Sequence, residues 1–75
     1  MRRLGYFLHI ARSGVLIVRL SIKRPPRIGT RVLGPDGKII GKIVDIIGPV
    51  RAPYAVVKPV RRDLKLSRGT TLFVR

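Results

Sequence analysis

Turn-forming residues punctuate this chain at intervals of roughly ten residues, the spacing of an all-β barrel or sandwich. They fall at Arg12-Ser13-Gly14, Lys23-Arg24-Pro25-Pro26-Arg27, Gly34-Pro35-Asp36-Gly37, Gly48-Pro49-Val50-Arg51-Ala52-Pro53 and the charged Arg61 to Gly69 segment. The stretches between them are β-rich by composition, since Val, Ile and Thr supply 21 of 75 residues and β-branched side chains fit a pleated sheet better than a helix. Only Arg62 to Ser67 leaves room for a helical turn.

Six short strands follow from this punctuation. Leu4 to Ala11 alternates so that Tyr6, Leu8 and Ile10 share one face and Phe7 and His9 the other. Val15 to Ile22 puts Leu16, Val18, Leu20 and Ile22 on one face, opposite Arg19 and Ser21. Pro25 and Pro26 then impose a stiff, extended, basic connector. Thr30 to Leu33 and Lys38 to Ile47 flank the Pro-Asp-Gly corner, the clearest hairpin in the chain. Gly41 inside the second of these predicts a bulge or sharp bend, as a small barrel needs in order to curl. Tyr54 to Val60, ending at Pro59, and Thr70 to Val74 complete the set.

A chain of this length is expected to form one domain over residues 1–75, because it buries only about 60% of its unfolded surface and cannot divide its core. With no cysteine, neither a disulfide nor a thiolate zinc site can staple it, and stability must come from packing. The apolar share of 45% suffices for that. Glu, Asn, Gln, Cys and Trp are all absent, and the loss of thermolabile side chains predicts a hot-growing archaeal source.

Against this core stand 17 Lys and Arg and three acids, Asp36, Asp45 and Asp63, a net charge of +14 that no internal pairing can neutralise. A solvated basic surface needs a magnitude of only ~2–8 in a small domain, so a polyanionic partner is expected, nucleic acid first. Arg outnumbers Lys by 12 to 5, which favours bidentate phosphate contacts. No apolar stretch, Val15 to Val18 included, approaches the ~20 residues of a membrane span. Nor does a signal-like region follow Met1, and a cytoplasmic location without membrane association is expected.

Catalysis needs a nucleophile with a base, paired carboxylates or gathered metal ligands. One His and three Asp are the whole inventory. His9 is expected to be a partly buried packing or hydrogen-bonding residue, Asp36 a turn cap, Asp63 a local partner of the preceding arginines, and Asp45 either solvent-facing or paired across the sheet. The Gly34 to Lys38 corner lacks the Walker spacing of a phosphate loop. No enzyme activity, cofactor or metal is therefore expected.

The basic residues expected to contact RNA gather around the strands: Arg2 and Arg3; Lys23, Arg24 and Arg27; Arg51 and Lys58; and Arg61, Arg62, Lys65 and Arg68. Aromatic residues for stacking are few, so phosphate contact with structured nucleic acid is favoured over base reading. In the Gly48 to Tyr54 loop, two Gly/Pro-stiffened corners bracket apolar residues, and a rigid loop of that kind loses little entropy on docking to a protein. A plain barrel corner would use the same residues.

Gly41 through Pro59, with its Gly48-Pro49-Val50, Pro53-Tyr54 and Lys58-Pro59 elements, resembles the glycine/arginine-rich-tail (GAR) subunit of box H/ACA ribonucleoproteins in its compact archaeal form. Arg3-Leu4-Gly5 and the Gly29 to Val32 stretch fit the same pattern, so the resemblance covers nearly the whole chain. It implies a six-stranded antiparallel barrel similar to the second domain of elongation factors, docked on the catalytic subunit of a guide-RNA-dependent pseudouridine synthase. On that likeness Gly48, Pro49, Val50, Pro53 and Tyr54 would form or support the synthase-facing surface, and the subunit would assist pseudouridylation of rRNA without performing it.

Two features depart from the family pattern: no Gly/Arg-rich tail is present, and the charge exceeds what protein docking requires. The charge motivates a second reading, a structural ribosomal protein that binds rRNA directly beside other ribosomal proteins. A third, a chromatin-type barrel on duplex DNA, rests on size and charge alone.

Overall fold

Residues 1–75 are described by a computed structural model with six strands and no helix: β1 (Arg2–Ile10), β2 (Leu16–Leu20), β3 (Arg31–Leu33), β4 (Ile39–Ile47), β5 (Tyr54–Pro59) and β6 (Thr71–Val74). They close into a barrel in the order β1-β2-β5-β4-β3-β6, every neighbouring pair antiparallel. Closure leaves no open sheet edge to pair with another chain. The expected all-β, six-stranded antiparallel barrel is thus the observed fold.

The alternation within β2 places Leu16, Val18 and Leu20 inward, as expected, and Ile22 packs against the core just beyond the strand. Leu4, Leu16, Val18, Ile43, Val57 and Leu72 are essentially inaccessible to solvent, and no polar side chain is buried with them. Each such Leu, Ile or Val contributes about 1.5–3 kcal/mol relative to exposure, which is how a chain without disulfides holds together.

β1 departs from the expected alternation. Tyr6 and Ile10 are exposed and Leu8 only half-buried, whereas Phe7 lies in the core with Leu4. Two bulges break the alternation. The register slips by one residue at Leu4 against β6 and at Leu8 against β2, and each slip moves the following side chains to the other face. His9, beyond the second bulge, is exposed and is not the partly buried residue its apolar neighbours implied.

The β3–β4 hairpin closes as the sequence predicts. Gly37 N–H donates to the Gly34 carbonyl at 2.9 Å and Gly34 N–H to the Lys38 carbonyl at 2.9 Å. Gly37 takes φ +82°, and Asp36 accepts the Lys38 N–H at 3.0 Å. Next to Gly41 the predicted bulge is present, with Ile40 as the extra residue against β3. A side chain at Gly41 would overlap the Lys58 carbonyl, and one at Gly5 would overlap the Arg19 carbonyl. These two glycines let neighbouring strands approach where the barrel curls. The Arg62 to Ser67 segment forms a turn and irregular chain, without helix.

Antiparallel closure gives the barrel two ends. The β1–β2 turn, the β3–β4 hairpin turn and the connector after Pro59 share one; the connector after Leu20 and the Gly48 to Pro53 loop share the other, while the start of β1 runs on beside β6 until Met1 meets the hairpin turn at Gly37.

Candidate nucleic-acid and docking surfaces

The Gly48 to Pro53 loop is built by local hydrogen bonding. Ala52 N–H donates to the Pro49 carbonyl at 3.1 Å, closing a turn, and Leu20 N–H donates to the Pro53 carbonyl at 3.2 Å, tying the loop to β2. Gly48 adopts φ +92°, and a Cβ there would lie 2.9 Å from Cδ2 of Tyr54. Only glycine therefore lets the chain turn there with the Tyr54 ring in place.

Val50 stands at the tip of this frame with 97% of its surface exposed, the most exposed large apolar side chain in the molecule. Pro53 and Tyr54 are half-buried, and the ring of Tyr54 has the Arg19 guanidinium 6.0 Å from its centroid, at the outer range of a cation–π contact. Of the five residues expected at a docking surface, Gly48, Pro49 and Val50 are exposed, with Val50 at the loop tip, while Pro53 and Tyr54 are half-buried beneath them. Beside the loop, a groove of about 480 Å³ runs toward the connector after β2, lined by Ile22, Lys23, Pro25, Ile46, Val50 and Arg51 among others.

All eleven cations expected to contact RNA are exposed, yet they do not form one patch. Lys23, Arg24 and Arg51 belong to the loop end of the barrel, whereas Arg2 pairs with Val74 beside Met1, which reaches the β3–β4 hairpin turn. Arg61, Arg62, Lys65 and Arg68 lie on the connector at the opposite end, and Lys58 projects from the outside of β5. Arg3 pairs in register with Phe73, and Arg27 closes a turn by accepting the Thr30 N–H and hydroxyl on its carbonyl at 3.1 and 2.6 Å. Among the exposed cations that sequence reasoning left out, Arg31 on β3 and Lys42 on β4 are the ones the sheet register aligns with Lys58.

The acids have local roles. Asp36 caps the hairpin turn, the Asp45 carboxylate accepts the Ile46 N–H at 2.8 Å, and Asp63 lies 3.4 Å from Arg61 in the molecule's one ion pair, itself solvent-exposed. Nowhere do three His, Cys, Asp or Glu residues come together as a metal site would require. No helix is long and apolar enough to cross a membrane.

Fold and surface together define a small, strongly basic β-barrel with a rigid apolar-tipped loop at one end. Residues 1–75 match the family model described as the Gar1/Naf1 RNA binding region, and the chain belongs to that family. An uncharacterized protein of Methanothermobacter thermautotrophicus is 43% identical to it, over 99% of this chain and 83% of its own length. Another, from Methanocaldococcus jannaschii, is 43% identical over 80% of this chain and 70% of its own. The H/ACA ribonucleoprotein complex subunit GAR1 of Encephalitozoon cuniculi is 33% identical over 93% of this chain and 38% of that protein. The resemblance seen in the Gly41 to Pro59 segment therefore extends over the whole barrel, and the relatives include archaeal proteins.

Proposed function

We propose that this protein is a non-catalytic, RNA-binding docking subunit of an H/ACA ribonucleoprotein, assisting guide-RNA-dependent pseudouridylation of rRNA. The observation that carries the proposal is the Gly48 to Tyr54 loop. In a chain whose relatives include an H/ACA subunit, it holds Val50 at 97% exposure on a stiff frame. An anchor that is already ordered before binding loses little entropy on docking, so Val50 enters a pocket on the pseudouridine synthase while Pro49, Pro53 and Tyr54 hold its approach angle. The exposed cations contact RNA phosphates, and the chemistry belongs to the synthase, since His9 and the three acids are dispersed over the barrel. Titration of a purified archaeal pseudouridine synthase with this protein tests the reading: saturable binding is expected, and its absence removes the assignment.

The charge favours a second reading. With a net +14 and a single exposed ion pair, cations at both ends of the barrel could neutralise two rRNA segments at once, as a structural ribosomal protein does. Sedimentation with mature ribosomal subunits through a moderate salt wash supports that reading, and complete loss from the subunits excludes it.

A further inference from the structure

We infer that the outer face of β3, β4 and β5 carries a phosphate track for RNA, formed by Arg31, Lys42 and Lys58. The inference rests on the RNA-binding reading above and gives it a location. In the sheet register Arg31 lies directly opposite Lys42, and Lys42 directly opposite Lys58; all three side chains are exposed. Neighbouring strands are about 4.8 Å apart, so the three backbone positions cross the sheet within about 10 Å.

Like charges directly opposite one another destabilise a sheet, and the fold does nothing to offset them. Asp36 caps the hairpin turn, Asp45 stands opposite Val56 with its carboxylate on the Ile46 N–H, and Asp63 pairs with Arg61. No acid is left for the row. A negatively charged ligand that neutralises all three cations together accounts for an arrangement that is unfavourable in the free protein.

Two bulges in β4 produce the alignment. Carried on from the hairpin turn without the extra residue Ile40, the β3–β4 ladder would set Arg31 opposite Gly41. Carried up from the Gly48 loop without the extra residue Val44, the β4–β5 ladder would set Lys58 opposite Ile43 and Lys42 opposite Pro59. Bulges re-aim side chains, and here both act on the same three cations.

The row lines a cleft of about 420 Å³, where the exposed Gly29 presents bare backbone and Pro59 and Val60 form part of the wall. Bare backbone allows a sugar-phosphate chain to approach closely, and the Arg31 fork suits bidentate phosphate contact. No aromatic side chain lines the cleft, so the track grips phosphates and leaves bases unread. RNA is the occupant favoured by the family match.

The test is fluorescence anisotropy with a fluorescein-labelled RNA stem-loop, and the DNA stem-loop of the same sequence, across a range of KCl concentrations. R31Q/K42Q/K58Q is compared with R12Q/K38Q/R75Q, which removes the same charge at three exposed cations outside the row and outside the expected RNA contacts. The row variant is expected to lower the salt slope by about 2 to 3, the contribution of three phosphates, and to weaken RNA binding at least roughly tenfold at low salt. The second variant should keep most of both. Equal losses in the two variants, or an unchanged row variant, would overturn the track while leaving RNA binding itself intact. DNA bound as tightly with the same dependence on the row would overturn RNA as its occupant. A wild-type protein that binds no RNA would remove the RNA-binding reading and the track together. Thermal unfolding without RNA serves as the folding control: relief of the repulsion predicts a row variant at least as stable as wild type.

Discussion

Gly48 and Tyr54 occupy each other's space: the loop turns at φ +92° with its bare Cα against the Tyr54 ring, and a Cβ at position 48 would come 2.9 Å from the ring's Cδ2. Gly48→Ala therefore has two costs, a left-handed backbone strained by about 1–2 kcal/mol and a displaced Tyr54. A destabilisation of at least about 1 kcal/mol in urea unfolding is expected. Binding to the synthase should weaken further than Tyr54→Leu alone would cause, because the loop frame is lost as well as the ring.

Val50→Asp separates docking from folding. Its side chain touches almost nothing in the free protein, so the unfolding midpoint should stay within about 0.5 kcal/mol of wild type. Affinity for a pseudouridine synthase should fall at least about tenfold, as expected when a charge replaces a central apolar anchor. Calorimetric titration of the folded variant checks both.

Gly41→Ala tests barrel closure. The added methyl would overlap the Lys58 carbonyl across the β4–β5 ladder and press on Val57. Backbone on backbone has no cheap relaxation, so a loss of roughly 3 kcal/mol or more is expected, against a total of about 5–15 kcal/mol for a native domain. Ile43→Ala, in the same strand and fully buried, should cost about 2–5 kcal/mol through its cavity. Denaturant melts of both variants would rank closure against core packing.

Salt should stabilise the free protein. At +14 with one exposed ion pair, self-repulsion dominates the electrostatics and is screened as the Debye length shortens from about 10 Å at 0.1 M to about 3 Å at 1 M. An increase in melting temperature of roughly 4–8 °C over that range corresponds to relief of about 1 kcal/mol. A melting temperature that falls with added salt would contradict this balance. Asp63→Asn, by contrast, should move stability by less than about 1 kcal/mol, since its ion pair with Arg61 is exposed and screened.

The strand positions and the hairpin were legible in the sequence because turn chemistry is local: Pro35 presets φ, Asp36 caps and Gly37 accepts a positive φ whatever the rest of the chain does. The inward face of β2 was legible for the same reason, since unbroken alternation carries it. β1 was not, because bulges at Leu4 and Leu8 break its alternation. A bulge is a two-against-one count between strands, invisible in either strand alone. The same holds for the cationic row: Arg31, Lys42 and Lys58 lie far apart in the chain, and two slips in β4 bring them into line.

Local residue chemistry alone determined that this protein is all-β, that it closes at Gly34 to Gly37 and bends at Gly41, that it offers a stiff loop at Gly48 to Tyr54, and that it carries far more positive charge than it can pair. Tertiary structure decided how those pieces meet. It placed the expected RNA contacts at opposite ends of the barrel, set Val50 at the tip of its loop with Tyr54 as support, and assembled a row of cations from three strands. Long-range register, set by bulges and by closure of the sheet, makes those choices, and register is a property of paired strands that no single segment encodes.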